Sequence, residues 1–291
     1  MKKISLILIV LCYGLCLQAQ HYIIKAGHVF DSRSGKMLED QTIIVENGKI
    51  KQVGKNIPTN KMDSVIDLSG SYVLPGLMDC HVHITCNETY RHMTMNETYA
   101  TQSTSLRAIK GTVVAKQFLD NGFTTLKEIG NDANYATADV IKAIRRGWIQ
   151  GPDIIYAGKI IAPYGGQSRG VNREHEHLWN MEYIDADTPG EIIKAIRVNI
   201  YNGATVIKLV TADNGIYDKS DIKAAVDEAK KYGLKVNVHV VGEGTAANNV
   251  IEGGAASIEH GDGLTNEQLQ LMKDRGTFLV GTDFSFDNWY A

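Results

Sequence analysis

The 291-residue sequence predicts an α/β fold: a TIM-like (β/α) barrel carrying seven of eight strands, behind a small N-terminal β module. Three observations predict it. From Pro75 onward, apolar runs alternate with helix-like stretches, the pattern of βα units and a parallel sheet. Between His21 and Val73 the apolar runs are short and alternating, and Asn47-Gly48 separates two of them as a type I′ hairpin signal. Pro75 to Ala291 offers 217 residues, short of the roughly 250 of a complete barrel.

The first element lies outside the fold. Met1-Lys2-Lys3 gives a basic start, ISLILIVLCYGLCL an apolar stretch, and Ala19 a small residue for cleavage, so residues 1–19 read as a secretory signal peptide. An apolar stretch this short does not match the roughly 30 Å of a bilayer core, so no stable membrane span is expected after cleavage. Leu11 and Leu15 stand where a lipoprotein signal needs a small residue ahead of Cys12 or Cys16. The expected compartment is periplasmic or extracellular.

Cleavage leaves 28 basic against 33 acidic residues, a formal charge of −5, which gives no electrostatic case for nucleic acid. It also leaves two cysteines, Cys80 and Cys86, read as spare thiols because a chain of this size has core enough without a disulfide. The 44% hydrophobic fraction and 28 glycines suit a compact enzyme, and no solenoid-length repeat appears.

Residues 20–74 form the β module, built from "YIIKAGHVFD", "TIIVENGKIKQVG" and "SVIDLSGSYVLPG" and read as antiparallel. Residues 75–291 form the barrel. Its strands are "GLMDCHVHI", "GFTTLKEIG", "DIIYAGKII", "GATVIKLVT", "GLKVNVHVV", "AASIEHG" and "TFLVGTDF". Helix ends between them are legible: Thr188-Pro189-Gly190-Glu191 opens one with a capping box and Gly203 closes it. Ser220 opens a second, closed by Gly233; Thr265 with Gln268 opens a third, closed by Gly276.

In a (β/α) barrel, chemistry belongs at the C-terminal ends of the strands. His81 and His83 stand at i and i+2, on one face of the first strand, where both rings can reach one ion. Alone, such a pair is more often two polar residues at a strand edge. His239 in "VNVHVV" and His260 in "SIEHG" place imidazoles at two further strand ends, and all four then point at one mouth. Lys208, between Ile207 and Leu209 in "TVIKLVT", is either a lysine snorkelling to the rim or a buried amine. Burial would lower its pKa from about 10.4 toward neutrality, and a neutral amine adds carbon dioxide to become a carbamate with two oxygens.

In order and spacing, "LPGLMDCHVHI", "GFTTLKEIG", "GATVIKLV", "VNVHVVG" and "SIEHGDGL" resemble the amidohydrolase superfamily of metal-dependent hydrolases. Within it they are similar to the imidazolonepropionase-related enzymes and prolidase-type dipeptidases. The resemblance implies two divalent metal ions, zinc first among the candidates, with His81 and His83 on the more buried ion and His239 and His260 on the more exposed one. Carboxylated Lys208 would bridge both. It implies a metal-activated hydroxide that attacks an amide or peptide-type C–N bond of a small substrate such as a dipeptide.

Two alternatives stand beside that reading: a mononuclear deaminase or cyclic-amide hydrolase with Lys208 unmodified, and a truncated, inactive metal-binding chain. The resemblance also implies an aspartate ending an eighth strand and a β module completed as a sandwich by C-terminal strands, and the sequence carries neither. Asp283 in "VGTDFSF" counts as seventh, so a fragment is expected, with an apolar edge open to homo-oligomer formation.

The remaining candidates carry less. Glu128, Asn131 and Asp132 follow the second strand, where Glu128 reads equally well as a structural acceptor. Gln167 stands where relatives often place histidine. Arg169 and Arg173 are candidates for gripping a substrate carboxylate. His175 and His177, in "REHEHLW", lack strand character and are assigned to a solvated or substrate-lid loop rather than to metal. The "NETY" at 87–90 recurs at 96–99 as a short accident, and Trp148 and Trp179 are assigned to packing.

Overall fold

The computed structural model describes residues 21–58, 64–86, 95–167, 172–211, 217–241 and 244–282. They belong to two compact units, Met1–Pro75 and Gly76–Ala291. The predicted leader, Arg169 and Asp283 lie outside the described residues, as does the side chain of Arg173. Among the described residues no helix is long and apolar enough to cross a membrane.

The first unit is a four-stranded sheet in the order β3-β2-β1-β4, with β1 His21–Asp31, β2 Lys36–Glu46, β3 Lys49–Gly54 and β4 Ser64–Val73. The Asn47-Gly48 turn joins β2 to β3 as expected, Asn47 at φ 52° and Gly48 at φ 72°, the left-handed pair a type I′ turn requires. One expectation fails here, because β4 runs parallel to β1 and the module is mixed rather than antiparallel. The β2–β3 hairpin serves as the crossover that a parallel pair needs, carrying the chain to the free edge of β1.

The second unit alternates strands and helices. Its strands are β5 Leu77–Val82, β6 Phe123–Glu128, β7 Asp153–Tyr156, β8 Ile160–Ala162, β9 Tyr183–Asp185, β10 Ile207–Val210, β11 Val236–Val240, β12 Ser257–His260 and β13 Phe278–Val280. The helices are α1 Met95–Thr101, α2 Thr104–Asp120, α3 Ala136–Arg145, α4 Glu176–Trp179, α5 Pro189–Tyr201, α6 Lys219–Lys231, α7 Ala246–Glu252 and α8 Asn266–Arg275. Every strand pair in this unit is parallel. They form a three-stranded sheet, β5-β6-β7, and a six-stranded sheet, β13-β12-β11-β10-β8-β9.

All seven anticipated runs are strands, with two departures. The run 153–161 is interrupted at Gly158, φ 76°, and its halves fall in different sheets. The Tyr156 carbonyl accepts from Thr205 N at 2.6 Å and Val206 N at 3.2 Å, which carries the order from β7 across to the segment entering β10. The short β9 was not among the anticipated runs, but it falls within residues 162–187, where a further strand would shift the count by one; three residues beside a helix cap are too few for periodicity to register. Strands β5 and β13 are not paired with each other, so barrel closure is not established among the described residues. Phe278 and Leu279 on β13 and Met78 on β5 are exposed.

Ile161, Ile192, Ile196, Ile207, Leu209, Ile222 and Val238 pack α5 and α6 onto the larger sheet. Val82, Ile84, Val114, Leu126 and Val140 pack α2 and α3 onto the smaller one. Each such side chain contributes about 1.5–3 kcal/mol by burial. The capping boxes at Thr188/Glu191 and Thr265/Gln268 form as read. Helix α6 begins two residues early: Asp218, not Ser220, is its cap, its carboxylate accepting from Ser220 N at 2.6 Å and Asp221 N at 3.1 Å. A carboxylate at a helix N-terminus also gains from the dipole, so it displaces the serine.

Candidate metal centre

The alternation of a strand places His81 and His83 on one face at the end of β5, and the parallel register of β10, β11 and β12 brings Lys208, His239 and His260 to the same end of the unit. Residue His260 follows Glu259 directly, and consecutive strand residues normally face opposite sides. A left-handed φ of 70° at His260 turns its ring back among the others. Ring centroids run in a chain, His83 to His81 at 5.1 Å, His81 to His260 at 4.7 Å, and His260 to His239 at 4.3 Å. The four imidazoles expected at one mouth are therefore brought together.

Three of the four have Nδ1 engaged by the protein: His81 with Glu259 Oε2 at 2.8 Å, His83 with the Gly130 carbonyl at 2.9 Å, His260 with Thr282 Oγ1 at 2.6 Å. His239 Nε2 lies 3.3 Å from the Gln167 amide nitrogen. Burial, then neighbouring positive groups, pushes the pKa of His83 down to about 3, of His239 to about 2 and of His260 to about 4. His81 also falls, by burial against the opposing pull of Glu259. The rings are neutral at pH 7 and can offer lone pairs.

Lys208 is 2% exposed, and its Nζ has no hydrogen-bond partner. The snorkelling alternative is thereby excluded. Burial brings its pKa down to about 7. Around it the interior is polar where a (β/α) barrel usually stacks branched apolar residues. Lys127 Nζ donates to Asn237 Oδ1 at 3.0 Å and Glu259 Oε1 at 2.9 Å, and Ser257 Oγ lies 2.6 Å from the same Glu259 oxygen. Burial raises the Glu259 pKa, but the His81 hydrogen bond and the Lys208 and Lys127 charges more than offset it, for a net value of about 2. Sequence reading missed Lys127, Asn237, Ser257 and Glu259; the available signal was charge inside apolar runs at i, i+2 spacing.

These residues fit a metal. Imidazoles that bind cations commonly tie their other ring nitrogen to a protein acceptor, and a buried amine without a partner is costly unless something neutralises it. Among the described residues no three His, Cys, Asp or Glu side chains form a ready ligand trio.

The other candidates resolve as follows. Glu128 is a structural acceptor, its Oε2 receiving Ile84 N at 2.6 Å; burial holds its pKa well above the usual carboxylate range. Asn131 accepts from Tyr99 and Tyr183 hydroxyls at 3.2 and 3.4 Å, and Asp132 accepts from Tyr156. His175 ends a short 3-10 turn and His177 sits in α4, both exposed, so that segment is helical rather than loop. Trp179 is buried and stacked on Tyr183, but Trp148 is 70% exposed under the Arg146 guanidinium and does not pack in a core. Cys80 and Cys86 are free thiols. A cavity of about 1050 Å³ lies at the opposite, N-terminal ends of the strands, lined by Lys127, Asn237, Ser257 and Phe278 and by none of the histidines.

A sequence profile described as the amidohydrolase family matches residues 72–287. Ochratoxinase from Aspergillus niger is 29% identical over 294 aligned residues, covering 91% of this chain and 59% of its own length. Imidazolonepropionase from Thermoanaerobacter pseudethanolicus is 24% identical over 287, covering 90% of this chain and 67% of its own. Among solved structures, a Xaa-Pro dipeptidase with bound methionine in the active site superposes with a TM-score of 0.78 at 29% identity, covering 89% of this chain and 66% of that one. A prolidase complexed with N-methylphosphonate-L-proline gives 0.77 at 26%, covering 90% and 66%. The chain spans 59% of the length of ochratoxinase and about two thirds of the others.

Proposed function

This chain belongs to the amidohydrolase family, and on that premise we propose that it hydrolyses an amide or peptide-type C–N bond in a small substrate, as a prolidase-like dipeptidase. In this reading His81, His83, Lys208, His239 and His260 hold two divalent cations, zinc first by the nitrogen-rich donor set. One observation carries it: four neutral imidazoles and a buried, unpartnered amine converge at the C-terminal ends of strands from two parallel sheets.

Cations bound there supply Lewis acidity that polarises a carbonyl and acidifies water. The chain's own residues supply the rest. Lys208, whose pKa burial brings down to about 7, has a free-amine fraction near that pH that adds through its nitrogen lone pair to carbon dioxide; the N–C bond forms, one C=O π pair moves to oxygen, and a proton leaves to solvent. The resulting anion places a negative charge and two oxygens at the buried position, where they would balance and hold bound cations. Gln167, held through its Oε1 by the Tyr183 hydroxyl at 3.1 Å, presents its amide beside His239, where it can donate to a substrate oxygen. The leader read over residues 1–19 supports an enzyme acting outside the cytoplasm.

The test is hydrolysis of a dipeptide panel, X-Pro sequences included, by the 291-residue chain stripped with chelator and then resupplied with zinc. Turnover that returns with zinc, at two zinc ions per chain, is the expected result. One zinc ion per chain favours the mononuclear alternative, and zinc binding without turnover on any amide overturns the enzymatic reading.

A further inference from the structure

The polar layer beneath the histidines is more specific than a means of filling space. Register pairs Asn237 with Ser257, one step below His239, and sets Glu259 level with His239, and Lys127 reaches both levels from β6. The Asn237 amide nitrogen donates to the Ile207 carbonyl at 3.2 Å, which fixes its Oδ1 toward Lys127. Ser257 Oγ faces both Asn237 Oδ1, at 2.7 Å, and Glu259 Oε1, at 2.6 Å, but has one proton and can serve only one of them. Lys127 has three and serves both. Glu259 Oε1 is thus fully engaged, and Oε2 is left to His81 Nδ1.

We propose that Lys127 and Glu259 are positioning residues that lock His81 as its Nδ1–H tautomer and leave the Nε2 lone pair as the donor to a metal. A carboxylate oxygen only accepts, so the shared hydrogen must sit on Nδ1. A neutral imidazole has one N–H, so Nε2 then carries none. Lys127 acts at a distance: by occupying Oε1 it keeps the carboxylate from rotating away from His81.

The inference rests on the metal-binding reading above but has its own readout. Nitrogen-15 NMR of the histidines in the metal-free, full-length protein should show His81 protonated at Nδ1 alone. Protonation at Nε2, or at both nitrogens, overturns the inference without a single substitution. In Glu259→Gln the one carbonyl oxygen is claimed by Lys127 and Ser257, so the amide NH₂ turns to His81 and forces the hydrogen onto Nε2. Zinc affinity should then fall roughly 10–100-fold. Adding Lys127→Met frees the glutamine to turn its oxygen back to His81, so the double variant should recover most of that loss.

A merely structural role predicts a double variant worse than either single one, and that result, or unchanged zinc affinity in Glu259→Gln, overturns the assignment. Failure of the unsubstituted protein to bind zinc while His81 keeps its Nδ1–H tautomer overturns the functional reading and leaves the positioning role standing.

Discussion

Replacing Arg107 should expose how the second unit holds its least favourable backbone. The segment after β6 places Asn131, Ala133, Asn134 and Tyr135 at φ between 49° and 70°. Each left-handed residue costs roughly 1–2 kcal/mol, so the four together cost about 4–8 kcal/mol. The Arg107 guanidinium, on α2, donates to the Thr85 carbonyl at 3.1 Å, to the Asn131 carbonyl at 2.9 Å and to both oxygens of Glu182; Glu182 in turn accepts from Ala133 N at 3.2 Å. Arg107 is 1% exposed and Glu182 fully buried. Removing one partner of such a pair strands a buried charge and costs about 3–5 kcal/mol. Arg107→Met and Glu182→Leu should therefore each lower stability by about 4 kcal/mol. The double variant strands no charge; it loses the hydrogen bonds of three backbone groups at about 1 kcal/mol each, for a total near 3 kcal/mol. Urea unfolding of all four proteins measures the cycle. The double variant should be less destabilised than either single one. Additive losses near 8 kcal/mol would refute the claim that the pair acts as one clamp.

Two further outcomes follow from the same region. Asp132 is fully buried and pushed up to about 6, by burial first; a raised folded pKa means its contribution is complete below the unfolded value near 3.8 and is lost as pH rises through 6. Stability of the native chain relative to Asp132→Asn should thus decline by up to about 3 kcal/mol between pH 4 and 7 and stay level above, measured by urea titration at each pH; a difference independent of pH would contradict it. Gly130 sits at φ 130°, and a Cβ there would meet Ile160 Cγ1 at 2.3 Å, so Gly130→Ala should cost about 1–3 kcal/mol and displace the carbonyl that holds His83. Retention of the native His83 nitrogen-15 shifts in that variant would count against the carbonyl's role.

Much of the site was legible because strand-end position is a sequence property. His81, His83, His239 and His260 fall at or near the ends of apolar runs and Lys208 lies inside one, and the parallel strands of the two sheets bring them together. The supporting shell was not legible, because its contacts join residues far apart in sequence: Lys127 meets Glu259 across 132 residues, and His81 meets Glu259 across 178. Arg107 and Glu182 lie outside any strand pattern, and helix periodicity assigns an arginine to a solvated face. The parallel pairing of β1 with β4 escaped for a related reason, since alternation reports which face of a strand is buried and not which edge is paired. Asp218 escaped as a cap because reading the helix from its first clear Ser-Asp pair overlooks a carboxylate two residues earlier.

The interior chemistry also bears on why this arrangement persists. Lys127 and Glu259 neutralise one another, whereas Lys208 has no hydrogen-bonding partner at its amine and is held near neutrality only by burial. Replacing such a layer with branched apolar residues would improve packing and remove a desolvation cost, so packing alone does not account for it. A ligand that binds only the folded state stabilises that state by RT ln(1 + [L]/Kd), about 4 kcal/mol at a thousandfold excess over Kd. That is comparable to the loss incurred by burying an uncompensated polar group. The layer and the imidazoles above it are therefore best understood together. On the proposed metal-binding reading, the polar residues weaken the metal-free fold, and the same residues aim the donors whose occupation would restore it.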